Sequence, residues 1–63
     1  MYIFTVRVYY EDDEKAPRWS KYSIHAANDV EARKKALDLF KGYKEKSDVL
    51  KYCEIEFEST LDA

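Results

Sequence analysis

Residues 1–10 alternate with period two: Tyr2, Phe4, Val6, Val8 and Tyr10 fall on one side, Ile3, Thr5, Arg7 and Tyr9 on the other. A helix scatters such a pattern around its axis, whereas a strand sorts it into two faces. Residues 19–27 repeat the pattern, with Tyr22, Ile24 and Ala26 opposed to Trp19, Lys21, Ser23 and His25. Residues 49–59 repeat it again, turning Cys53, Ile55 and Phe57 inward and Glu54, Glu56 and Glu58 outward. Three strands, each oily on one side, need a cover for that side.

The cover lies between the second and third strands. Asn28 reads as a helix N-cap with Glu31 three residues on, the capping-box spacing, and Asp29 and Glu31 put negative charge at the positive end of the helix dipole. On a helical wheel Ala32, Ala36, Leu39, Phe40 and Tyr43 form one stripe, flanked by Val30 and Leu37. Glu31, Lys34, Lys35, Asp38 and Lys41 point away from it. The alanines let the helix axis come close to a sheet, and Gly42 is expected to stop the helix by taking the left-handed conformation.

These counts give an α+β fold of ββαβ order: a three-stranded, mainly antiparallel sheet with one helix packed on one face. The first two strands read as a hairpin joined through residues 11–18, where Glu11, Asp12, Asp13 and Glu14 form a solvated acidic run ahead of Pro17. The third strand can join either side of the hairpin. The order 2-1-3 is preferred, because residues 1–10 are the most apolar and least suited to an edge; the order 1-2-3 is the alternative. Residues 1–60 make one domain and residues 61–63 a frayed tail.

Sixty-three residues lie near the lower limit for folding on one core without staples, yet 46% are hydrophobic and 16% aromatic, which excludes a disordered chain. The lone Cys53 removes any internal disulfide or thiolate metal site and, alternating with Ile55 and Phe57, reads as an inert core thiol. No apolar run is long enough for a bilayer and no charged-then-apolar leader is present, so a cytoplasmic, non-membrane protein is expected. Eleven basic residues against thirteen acidic ones, a net charge of −2, argue against a protein built to neutralise phosphates.

No residue set points to catalysis. His25 is the only histidine, with no nucleophile placed beside it, and one glycine cannot build a phosphate loop. The acidic run at 11–14 lacks the alternating ligands, glycine turn and distal glutamate of a calcium loop. Neither an enzyme nor a cofactor or metal is expected.

What remains is surface. The uncovered face would display aromatic rings around an arginine, and Arg7, Tyr9, Trp19 and Tyr52 are the expected anchors for a protein partner, or for a second copy of the chain. Unpaired strand edges favour such a homodimer, unless Lys21 and Lys51 protect them. The plain alternative is that Arg7, Lys21 and the glutamates merely pair across strands. Base stacking on those rings is disfavoured by the glutamate row, which a phosphate backbone would have to cross. A rival of another class is an RNA- or ribosome-associated domain using Lys34, Lys35, Lys41 and Lys44 on the outer side of the helix.

From Trp19 onward, the order Trp19, Ala26, Asn28, Glu31-Ala32, Gly42 and a final strand through Ile55 resembles the archaeal ribosomal protein LX family and its eukaryotic large-subunit relatives. The resemblance implies this fold, and binding to ribosomal RNA through basic residues after the helix. Here that stretch is Lys44-Glu45-Lys46-Ser47-Asp48, which mixes both signs.

Overall fold

A computed structural model describes residues 1–43 and 49–60. The chain forms β1 (Tyr2–Glu11), β2 (Pro17–Ala26), α1 (Asp29–Tyr43) and β3 (Val49–Thr60). The strands make one antiparallel sheet in the order β2-β1-β3, so the most apolar strand is central. Both outer strands run antiparallel to β1 and therefore parallel to each other. A link between parallel strands needs a crossover, and α1 supplies it.

β2 begins two residues earlier than the alternation suggests, with Pro17 opposite Glu11. A proline is tolerated there because it opens an edge strand. The intervening loop is built on Asp12. Its backbone N–H donates to the Ala16 carbonyl at 3.1 Å, its carbonyl accepts from Lys15 N–H at 3.0 Å, and Lys15 takes a left-handed φ of 62°. Its carboxylate accepts the N–H groups of Glu14 and Ala16, each at 2.9 Å, and the Arg18 guanidinium at 3.0 Å. Those bonds favour the charged form and hold the Asp12 carboxyl below the ordinary aspartate range; the hydrogen bond from Lys35 does the same for Glu31.

A folded-state pKa below the unfolded one gives stability that is present above the ordinary carboxylate range and lost as pH falls through it. Asp12→Ala is therefore expected to lower the urea midpoint at pH 7, with the gap to wild type closing on titration below about pH 4, where unfolded aspartate protonates. An equal gap at both pH values would mean that the carboxylate charge does not hold the loop.

The N-cap forms as expected: Asn28 Oδ1 accepts from Glu31 N–H at 2.8 Å, and Ala32 N–H donates to the Asn28 carbonyl at 3.0 Å. Ala32 and Ala36 are fully buried and Phe40 is nearly so, packed with Phe4, Val6, Val8, Ile24 and Ala26. The Phe40 ring meets Tyr10 at 5.0 Å between centroids.

Two details of the expected helix change. Leu39 is 45% exposed, so the buried stripe is the narrower Ala32-Ala36-Phe40 line with Leu37 half-buried beside it. Gly42 does not take a left-handed φ, and the helix runs on through Tyr43. The Tyr43 side chain and residues 44–48 and 61–63, the expected link and tail, lie outside the described residues. A Cβ at Gly42 would meet nothing within 4 Å. Gly42→Ala is therefore expected to stabilise the fold by about 0.5–1 kcal/mol, read as a higher urea midpoint; a loss of stability would show that the position needs glycine after all.

Candidate protein-interaction surface

A helix of fifteen residues spans about 22 Å, while ten-residue strands span about 33 Å. One helix thus cannot cover the sheet from end to end, and it covers only one face. The reverse face consists of four rows fixed by the β1 register: Trp19–Tyr9–Tyr52, Lys21–Arg7–Glu54, Ser23–Thr5–Glu56 and His25–Ile3–Ser59.

The first row joins three aromatic rings across all three strands. Tyr9 and Tyr52 stack at 4.5 Å between centroids with planes 15° apart. Trp19, directly opposite Tyr9, is 59% exposed and Tyr52 55%. Stacking fixes the Tyr9 and Tyr52 rings in place before any partner arrives, and large apolar surface left in water is what an interface anchor needs. The next row puts Arg7 beside this aromatic strip. All four expected anchors, Arg7, Tyr9, Trp19 and Tyr52, thus lie in two adjacent rows of one face.

Cross-strand pairing absorbs only the Lys51–Glu11 charges at the end of this face. Among the described residues, the ion pairs are Arg18–Asp12, Lys35–Glu31 and Lys51–Glu11, and none of them joins Arg7 or Lys21 to Glu54 or Glu56. The charges left unpaired are positive on β2 and β1 (Lys21 and Arg7) and negative on β3 (Glu54 and Glu56), leaving a graded surface. A shallow depression of about 220 Å³ separates Arg7 and Thr5 from Glu54 and Glu56.

Two features of this face escaped the alternation. β3 spends twelve residues against ten of β1, and its register shifts at Ile3/Phe4 and at Tyr9/Tyr10, each time passing one extra residue. The extra residues, Glu58 and Lys51, serve the open face: Lys51 pairs with Glu11 at 2.8 Å, and Glu58 accepts the hydroxyl of Thr5. Thr5 is consequently buried although it faces the uncovered side, and its polar atom is satisfied there. A threonine amid alternating residues carries no signal of such burial; only the unequal strand lengths hint at bulges.

On the covered face, Phe57 was expected inward. It lies on that side of the sheet, edge-on to Tyr2 and Phe4 at 5.8 and 5.9 Å, but 56% exposed, because α1 lies nearer β2 and β1 than β3. Cys53 is half-buried. Among the described residues no group of three histidine, cysteine or acidic side chains could hold a metal ion, and no helix is long and apolar enough to cross a membrane.

No family model matches the chain, and neither does any curated protein or solved structure. Residues 44–48, on which the RNA contacts implied by the expected ribosomal resemblance would fall, lie outside the described residues.

Proposed function

We propose that the protein is a non-enzymatic interaction module that binds a protein partner, or a second copy of itself, through the open sheet face or an edge strand. The observation that carries this reading is the row Trp19–Tyr9–Tyr52: three rings aligned across the strands, Tyr9 stacked on Tyr52, with Trp19 and Tyr52 mostly exposed, next to Arg7. Aromatic and arginine anchors of this kind supply most of the free energy of protein association. The three glutamates on β3 give the partner a polarity to match, with its basic side over β3 and its acidic side over Lys21 and Arg7.

An RNA contact on the outer side of the helix has weaker support. Lys35 is engaged internally, bonding the Glu31 carboxylate at 3.0 Å and the His25 carbonyl at 2.8 Å. Among the described residues, Arg33, Lys34 and Lys41 remain exposed on the helix, interspersed with Asp29 and Asp38, a smaller and less uniform charge than multiple phosphate contacts need; Lys44 lies outside the described residues.

Salt separates the two readings. A partner co-purified on the tagged chain from its native host is expected to survive a wash at raised salt, since aromatic anchoring weakens little, whereas phosphate contacts weaken steeply. Loss of the partner in that wash, together with nuclease sensitivity, would replace the protein-binding reading with the RNA one.

A further inference from the structure

We infer that the free edge of β3 takes up an extended segment of a partner protein in which basic and apolar residues alternate. The inference rests on the protein-binding function proposed above and narrows it to one edge and one partner chemistry.

β3 is hydrogen-bonded to β1 alone among the described residues, so its other side offers unpaired backbone groups. The two bulges lie near its ends. Between them, residues 52–57 stay in unbroken register with β1, a regular run long enough to template another strand. The opposite edge is less open, because α1 packs more on β2 than on β3 and Lys35 binds a β2 carbonyl.

The two faces of the run differ in chemistry. On the open side stand Glu54 and Glu56, which no described lysine or arginine neutralises in an ion pair. On the helix side stand Ile55 and Phe57, under-covered because one helix cannot reach across the sheet. There a groove of about 440 Å³ opens between α1 and β3, with Val30, Leu37 and Ile55 as its apolar surface and a rim of both charge signs.

A strand laid along this edge sends alternate side chains to the two faces. Lysine or arginine on one side would lie across from Glu54 and Glu56, and apolar residues on the other would cover Ile55 and Phe57 and enter the groove. A second copy pairing β3 to β3 instead sets these glutamates beside their own counterparts, which is destabilising. The acidic row thus selects against self-pairing and for a basic segment.

The test uses the full chain, labelled with nitrogen-15, and synthetic peptides of about eight residues, the length of an ordinary strand. One alternates lysine and valine, one alternates glutamate and valine, and one has the first composition in two blocks. The alternating lysine peptide is expected to slow hydrogen exchange at alternate amides of residues 52–57 and to shift the signals of Leu37 and Val30. It should bind at least about tenfold more tightly than the block peptide, which carries equal charge but cannot present it on one face. Glu54→Lys combined with Glu56→Lys, checked for an unchanged circular dichroism spectrum, should weaken it by about tenfold or more and create affinity for the glutamate peptide.

Equal binding of the block and alternating peptides would overturn the inference, reducing the effect to charge attraction. Exchange protection of β3 that grows with protein concentration and no peptide would also overturn it, in favour of a second copy. In the same titration the Trp19 indole signal should stay unmoved. If it shifts while the amides of residues 52–57 do not slow, the edge is not the site and the aromatic face alone stands.

Discussion

Phe40→Ala should remove most of the stability of this domain. The ring is almost fully buried against Tyr10 at the far end of the helix stripe, and truncating such a side chain in a core typically costs about 3–5 kcal/mol. At roughly 0.05–0.15 kcal/mol per residue, a chain of 63 residues has about 3–9 kcal/mol in total. Ala32 and Ala36, the other members of the buried stripe, contribute only methyl groups and cannot fill the cavity. Urea unfolding followed by circular dichroism should show the variant largely unfolded at 25 °C or with its midpoint severely reduced. Leu39→Ala, one residue away but 45% exposed, should stay within about 1 kcal/mol of wild type. Equal losses in the two variants would mean that the helix is rotated about its axis from the position described.

Trp19→Ala should leave stability nearly untouched and lower affinity for the partner by about 2 kcal/mol or more, roughly 30-fold at 25 °C. The side chain is mostly in water before binding, which is why the two effects separate. Tyr9→Ala should weaken binding similarly but also destabilise the fold modestly. It removes the ring stacked on Tyr52, and such pairs contribute about 0.5–1.5 kcal/mol beyond area burial. Calorimetric titration with the purified partner measures both variants. Unchanged affinity in both would show that the open face is not the contact surface.

Much of this architecture was legible because one physical constraint repeats: each strand sorts its residues into two faces, and among the described residues one helix covers one of them. The alternation placed Val6, Val8 and Ile24 inside and Tyr9, Trp19 and Tyr52 outside. The apolar character of residues 1–10 put β1 in the centre, and Asn28 marked the start of the helix. The wheel was too generous to Leu39, because hydrophobicity states what a residue can bury, not whether a sheet lies beneath it. Gly42 read as a stop, yet the helix passes through it, since nothing in a glycine forces the left-handed state it permits. The exposure of Phe57 was hidden for another reason: it depends on where the helix lies across the sheet, which periodicity does not encode. The two bulges of β3, and with them the burial of Thr5 beneath Glu58, came from pairing register, which is decided between strands rather than within one.

For the candidate surface, residue types and their common face were legible, but their rows were not. That Trp19, Tyr9 and Tyr52 align across the sheet follows from a register that begins at the Asp12 loop on one side and passes a bulge at Lys51 on the other.

The most direct test of the one-sided sheet is a nuclear Overhauser spectrum of the full chain. The Ala32 and Ala36 methyls should show cross-peaks to the buried cluster of Val6, Val8 and Ile24, and the Phe40 ring to Tyr10, with none to Arg7, Lys21 or Trp19. Cross-peaks from those helix residues to Thr5, Arg7 or Ser23 would place the helix on the opposite face and bury the surface from which binding is proposed.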